Sequence, residues 1–425
     1  MQVISINPDR LLTDIRTLGA IGRDEGGRLT RLAATDADRR GRDTFVQWSR
    51  AAGLDVRIDS VGNIFAIWAG RNGLDRNPLL IGSHIDTVID AGVLDGCYGV
   101  LAGLEVIRTL RERIAEPARP VIVAAFTNEE GVRFAPDMMG SAVFAGALSA
   151  GEALAATGTD GAVLGEELAR IGYAGTETPG FFRPEAYLEL HIEQGPVLER
   201  EAAEIGVVED LQGISWQRIV ITGEANHAGT TPMSMRRDAG HAAARVIGFL
   251  HDLARAASPP LVATVGCLGL SPGAINVVPG KATLTVDMRS PDARRLGEGE
   301  AALATFLGDL AEAGRFAIST TRLARTEPVR FDARLAKIVE ESARDLGLSS
   351  RRMTSGAGHD AQMLSAIAPS VMIFVPSIGG ISHNPREDTR EQDLVSGANV
   401  LLRTAERLLQ NGVQTSGPEK PPSLP

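Results

Sequence analysis

Pro120-Val-Ile-Val-Ala-Ala-Phe-Thr-Asn-Glu-Glu130 is a short apolar run that ends on two adjacent carboxylates. A continuous apolar stretch of that length reads as a strand buried on both faces, as in a sheet covered by helices. Leu79-Leu-Ile-Gly-Ser83 and Tyr187-Leu-Glu-Leu-His-Ile192 have the same texture, and residues 371–375 repeat it late in the chain. Helical periodicity over residues 99–114 and 140–150 falls between these runs. Earlier, residues 8–18 and 38–52 read as helices and 55–58 as a short strand. Strands alternating with helices predict an α/β fold with a mixed sheet and flanking helices.

From Gly213 the pattern changes. Residues 216–222, 262–268 and 282–287 read as strands, and 238–256 and 296–313 as helices. That order predicts a compact α+β unit with its helices on one face of an antiparallel sheet. The α/β texture then returns, with a last helix at 391–409. The expected organisation is a discontinuous catalytic domain at 1–212 and 329–412 with a smaller domain inserted at 213–328. Residues 413–425, rich in Pro and Ser, are expected to form a disordered tail.

Composition narrows the chemistry. With 43 Lys and Arg against 53 Asp and Glu, the 425-residue chain carries a formal charge of −10. Counterion release needs a basic face, so neither nucleic acid nor an anionic membrane is an expected partner. No apolar run reaches the ~18 residues of a spanning helix, and the first residues lack the pattern of a secretion signal, so a cytoplasmic protein is expected. Cys97 and Cys267 are too few for a disulfide framework or a thiolate zinc site. Any metal must therefore be held by imidazole and carboxylate, a donor set that suits hydrolytic ions.

Candidate donors sit where such sheets bind ligands, at the carboxyl ends of strands. His84 follows Leu79-Leu-Ile-Gly-Ser83, and Asp86 is placed to hydrogen-bond its second ring nitrogen. The pair admits a structural reading as well as a ligand reading. Asp95 precedes a helix and is either an N-cap or a ligand. Glu129 and Glu130 repel one another unless cations or protons relieve them. One could ligate a metal while the other takes a proton from water, although a solvated acidic turn has the same spelling. His191 closes another strand, and His383 lies in a polar loop after residue 375. The chain has only seven histidines, and these three lie beside carboxylates at strand or loop ends.

Longer stretches join these points. They run from Gly82-Ser-His-Ile-Asp-Thr-Val88, Asn128-Glu-Glu-Gly-Val-Arg-Phe134 and Glu189-Leu-His-Ile-Glu-Gln-Gly-Pro196 to Ala225-Asn-His-Ala-Gly-Thr-Thr-Pro232. Asn276-Val-Val-Pro-Gly280, Ser355-Gly-Ala-Gly-His-Asp360 and Gly380-Ile-Ser-His383 complete them. Together they resemble the hydantoinase/carbamoylase branch of the M20 metallopeptidase-like amidohydrolases over nearly the whole chain to about residue 410.

The resemblance implies a two-metal site for Zn²⁺, Mn²⁺ or Co²⁺. Asp95 would bridge the ions, with His84 and His383 as terminal ligands on one side or the other. Glu130 and His191 would complete the set, and Glu129 would be the general base. Peptidase relatives tend to place a carboxylate where this chain has His191, which favours the carbamoylase branch. Ala91-Gly92 departs from the Gly-Gly of many members, a change expected to be tolerated. The inserted segment resembles the family's lid, which also dimerises, so a homodimer is expected. His227 would then reach the partner subunit's active site and polarise the scissile carbonyl. Arg289 would clamp a substrate carboxylate, with Asn276 and Gln194 adding hydrogen bonds.

The implied reaction is hydrolysis of an N-carbamoyl-L-amino acid, β-ureidopropionate included, to the amino acid, carbon dioxide and ammonia. Allantoate hydrolysis is the alternative within the branch. A metal-free binding protein on the same fold is the alternative outside it, opposed by the intact Glu129 and ligand set. Other motifs fall away. Gly269-Leu-Ser-Pro-Gly273 has the spelling of a serine-hydrolase elbow, but Pro272 lacks the N–H that its oxyanion hole requires. Gly280-Lys281 lacks the hydroxyl that follows in a phosphate-binding loop. Cys97 reads as a small packing residue, His359 has no expected ligand role, and His241 and His251 are expected to be structural or solvent-facing.

Overall fold

The apolar runs lie side by side at the centre of a nine-stranded mixed sheet. The computed structural model describes residues 4–70, 73–258 and 260–411, so the tail expected at 413–425 lies outside the described residues. Two compact units are formed, Met1–Glu209 with Arg330–Pro425, and Asp210–Val329.

The chain begins with strands β1 (Asp55–Ile58), β2 (Ile64–Trp68), β3 (Leu79–His84), β4 (Val121–Phe126), β5 (Ala186–Ile192) and β6 (Ile205–Leu211). It continues through β7 (Gly213–Thr222), β8 (Asn226–His227), β9 (Val262–Ser271), β10 (Val277–Val278), β11 (Lys281–Ser290) and β12 (Ala317–Thr326). It ends with β13 (Val329–Arg330), β14 (Ser350–Ser355) and β15 (Ser370–Val375). The large sheet has the order β1-β2-β4-β3-β5-β15-β6-β13, with β14 paired to β6. Strands β4, β3, β5 and β15 run parallel, whereas β2 is antiparallel to β1 and β4, and β6 is antiparallel to β15. Every residue of β3, β4, β5 and β15 is buried. Burying each Leu, Ile or Val contributes about 1.5–3 kcal/mol, which is why interior strands carry unbroken apolar runs. The helix Cys97–Arg111 packs on β3 and β5 and against the helices Pro8–Ala20 and Glu391–Asn411. Being covered all round, it is apolar nearly all round.

Residues 140–150 do not form one helix. Met139–Phe144 and Ala150–Leu154 are separate, because Gly146 turns at φ +80° and Ser149 starts the second helix with a capping box to Glu152.

In the second unit the helices Ala239–Ala256 and Ala293–Gly314 cover one face of an antiparallel sheet of order β12-β7-β11-β9. Ala282, Leu284, Val286 and Met288 of β11 point into this core with Val246, Leu250, Leu296 and Leu303. The alternation fixes register, since a one-residue slip would turn Leu284 out and Thr285 in. Asp238 and Asp292 cap the two helices through backbone N–H groups. Periodicity predicts three strands here, but the sheet has four. The extra strand, β12, is an exposed edge rich in Ser, Thr and Arg, so it shows no apolar alternation. Strands β8 and β10 pair separately. Among the described residues no helix is long and apolar enough to cross a membrane.

Candidate metal centre

The carboxyl ends of the parallel strands gather the candidate donors of the first unit. His84 closes β3, and its Nδ1 lies 3.0 Å from the Asp86 carbonyl oxygen. His191, in β5, has its Nδ1 2.8 Å from the Ile192 carbonyl oxygen. A carbonyl only accepts, so each Nδ1 carries hydrogen and each Nε2 faces the site. Both Nε2 atoms approach the same oxygen of Asp95, at 3.6 Å from His84 and 3.1 Å from His191. The other oxygen of Asp95 lies 3.1 Å from His383 Nε2, which is 3.5 Å from Glu130. Two groups that could hold an ion therefore share one carboxylate: His84, Asp95 and His191, then Asp95, Glu130 and His383.

Asp95 is not an N-cap. The cap of the following helix is Gly96, with no side-chain cap bond. Gly96 sits at φ +62°, and a Cβ there would come within 2.3 Å of His84 Nε2. Only glycine lets the chain pass so close behind the imidazole.

The Asp86 expectation needs correcting. Its backbone oxygen, not its carboxylate, holds His84 Nδ1; the carboxylate stands 3.9 Å away. Instead the carboxylate accepts the backbone N–H groups of Glu129 and Glu130, each at 3.3 Å. Asp86 thus holds the turn that presents both glutamates, helped by Asn128 in the left-handed region at φ +56°. That turn is buried at Glu129 and half-buried at Glu130, so it is not a solvated acidic loop. Glu129 lies outside both ligand groups, with Oε2 3.3 Å from His84 Nε2.

Gln194, expected to hydrogen-bond the substrate, stands beside Asp95. Its amide donates to Asp95 at 2.8 Å, from a backbone at φ +58°. Glu387, which motif reading passed over, is buried and accepts the N–H groups of Leu94 and Asp95 at 3.0 and 3.2 Å. It also accepts the Ser382 hydroxyl at 2.8 Å, tying the Asp95 loop to the His383 loop. A Cβ at Gly92 would overlap Glu387, whereas Ala91 is accommodated with its N–H on the Leu29 carbonyl. The only sequence signal for Glu387 was an acid four residues after His383.

Cys97 is buried and accepts from Arg31 at 3.0 Å. His359 packs its ring 4.6 Å from that of His191 and faces Ser355. Burial, then neighbouring His191, holds His359 well below the usual imidazole range. His241 and His251 are exposed on their helix.

The donor set fits divalent ions. It combines imidazole Nε2 with carboxylate oxygens, without thiolate, as suits zinc, manganese or cobalt. Glu130 Oε1 is buried with no hydrogen-bond partner, an acceptor whose burial would be costly without a cation. Burial, then Asp95, pushes Glu130 up to about 7. The hydrogen bond to Asp95, against the opposing effect of burial, raises His383 to about 9. At pH 7 the metal-free site therefore holds protons on His383 and partly on Glu130, and cations must displace them. Loading is expected to expel more than one proton per chain at pH 7 and to weaken as pH falls from 8 to 6. Calorimetric titration with Zn²⁺ or Mn²⁺ in buffers of different ionisation heat measures this; a pH-independent affinity would contradict it.

The second unit holds the remaining candidates. His227 is exposed, and its Nδ1 accepts N–H bonds from Gly229 and Thr230 at 3.0 and 3.2 Å. The neutral ring therefore carries its proton on Nε2, the form that a hydrogen-bond donor needs. Pairing of β8 with β10 brings Asn276 beside it, its carbonyl accepting from Ala228. Arg289 stands on β11, its guanidinium bound to the Asp287 carboxylate at 2.9–3.2 Å.

The family model of peptidase family M20/M25/M40 matches residues 80–407, which span the whole set of donors. The chain belongs to that family. Within M20 it falls in the hydantoinase/carbamoylase branch. It is 40% identical over 405 residues to an N-carbamoyl-L-amino-acid amidohydrolase of Rhizobium meliloti, covering 94% of this chain and 97% of the relative. A second relative, from Geobacillus stearothermophilus and bearing the same name, is 38% identical over 409 residues, covering 95% and 99%. The crystal structure of an amidase of the hydantoinase/carbamoylase family from Burkholderia multivorans superposes with a TM-score of 0.91 at 43% identity, covering 94% of this chain and 97% of that one.

Proposed function

We propose that this M20 hydrolase of carbamoyl or amide C–N bonds acts on N-carbamoyl-L-amino acids, consuming one water and releasing the amino acid, carbon dioxide and ammonia. The observation that carries the reading is Asp95, whose two oxygens serve two separate imidazole groups while Glu129 stands outside both. His84, His191, Asp95, Glu130 and His383 would hold two divalent ions. Such ions supply Lewis acidity, acidifying water and polarising a carbonyl. Glu129 accepts a proton from water and delivers it to the leaving nitrogen. Burial pushes Glu129 well above the usual carboxylate range, with His84 pulling it down and Asp360 pushing it further up. A raised value suits a base that must also return its proton.

The second unit acts as a lid and joins two copies into a homodimer. Its His227 donates Nε2–H to the developing negative charge on the carbonyl oxygen. Arg289 binds the substrate carboxylate, and Asn276 and Gln194 add hydrogen bonds to that carboxylate or to the ureido group. His191, standing where peptidase relatives carry a carboxylate, favours ureido acids over peptides.

Ammonia release after reloading with Zn²⁺, Mn²⁺ or Co²⁺ tests the reading, with N-carbamoyl-L-amino acids, β-ureidopropionate and allantoate as substrates. The expected order places an N-carbamoyl-L-amino acid first. Allantoate hydrolysed in preference overturns the substrate assignment, and metal binding without turnover on any of them favours a binding protein.

A further inference from the structure

The helix-free face of the second unit's sheet carries a cavity that the proposed catalysis leaves unused. Its volume is about 260 Å³, and it is lined chiefly by Trp216, Thr264, Gly266, Thr285, Asp287 and Leu323. Trp216 and Thr264 lie opposite Asp287 in register, and Arg289 lies opposite Ile214 two residues on, so all share the face of Arg289. Register shifts flank the cavity, between Thr285 and Asp287 against β9 and between Arg322 and Ala324 against β7. Such bulges re-aim side chains. The second leaves Leu323 opposite no residue and 43% exposed, while Trp216 is 42% exposed. A large indole and a leucine side chain left open around a concavity mark a ligand surface more than a solvated one.

Asp287 links this cavity to the proposed clamp, because it lines the one and grips the guanidinium of the other. In an α-amino acid the side chain branches from the carbon that bears the carboxylate. A carboxylate held by Arg289 therefore leaves the side chain within reach of the cavity. We infer that this cavity is the subsite for the substrate's side chain and selects large apolar or aromatic N-carbamoyl-L-α-amino acids. The inference rests on the proposed role of Arg289. An apolar cavity of about 150 Å³ already accommodates benzene, so this volume suits one aromatic side chain. β-Ureidopropionate has no side chain to fill it. Allantoate would set a polar ureido group against indole and leucine, and an acidic side chain would meet Asp287.

Two variants test the subsite from opposite directions. Trp216→Ala removes a wall, and Gly266→Leu fills the space from a position where a Cβ meets no atom within 4 Å. Melting curves confirm that both fold. The readout is the ratio of kcat/KM for N-carbamoyl-L-phenylalanine to that for N-carbamoylglycine, measured on the full-length, metal-loaded protein. Wild type is expected to favour the phenylalanine derivative, and each variant to lower the ratio by about 10-fold or more, the scale of apolar pocket discrimination. If ureido acids are hydrolysed but neither variant changes the ratio, the subsite assignment is overturned while the proposed reaction stands. If wild type hydrolyses no ureido acid, the proposed reaction fails and the subsite with it.

Discussion

Glu129→Gln is expected to lower kcat by about 10²–10⁴, the usual contribution of a positioned base, with both ions still bound. The substitution keeps the shape of a buried side chain and removes only its ability to take a proton. Neither ion-holding group includes Glu129, so metal content should not change. The backbone N–H of residue 129 still donates to Asp86, so the turn is kept. In the metal-free protein the change also removes a carboxylate crowded by Glu130, Asp95 and Asp360. Stability without metal should therefore hold or rise. Turnover and elemental analysis of the same sample decide the matter. Equal turnover would show that another group is the base, and lost metal would show that Glu129 is itself a ligand.

Asp95→Asn is expected to weaken binding at both half-sites together. One carboxylate faces His84 and His191 with one oxygen and His383 with the other, so neutralising it removes an anionic donor from each group. The imidazoles of His191, His383 and His84 hold Asp95 well below the usual carboxylate range despite its burial, so it is ionised and ready for cations. Breaking a buried charge pair costs about 3–5 kcal/mol, which is about 10²–10⁴ in affinity. After dialysis against a weak chelator, the variant should retain neither ion under conditions where wild type keeps two. Retention of one ion at full affinity would show that Asp95 serves a single half-site.

The two substitutions separate what adjacent residues and motifs can say from what they cannot. The ends of β3, β4 and β5 were legible because interior parallel strands must be apolar throughout, so a His or Glu at their ends stands out. Glu129 and Glu130 were recognisable as a pair for the same reason. Their division of labour is implied only by the family resemblance, because the residues alone do not say which of them lies near His383 and which near His84. The partner of each histidine was likewise left open, and the structure groups His84 with His191 and His383 with Glu130. Glu387 escaped notice because its partners, Leu94 and Asp95, are backbone N–H groups almost 300 residues away. The role of Asp86 is hidden for a related reason: its carboxylate serves the backbone of another loop instead of the nearby ring. Edge strand β12 was invisible because exposed strands need no apolar pattern.

By itself the sequence determined the alternation of strands and helices, the inserted unit and the residue types for a two-ion hydrolytic site. Those follow from local rules: burial demands apolar runs, and the chemistry demands imidazole and carboxylate. Tertiary structure alone decided that Asp95 faces two half-sites, that Asp86 and Glu387 hold the loops, and that Trp216 and Leu323 flank a cavity beside Arg289. These are relations between residues far apart along the chain, and each is set by strand register and by which backbone groups a buried carboxylate can reach.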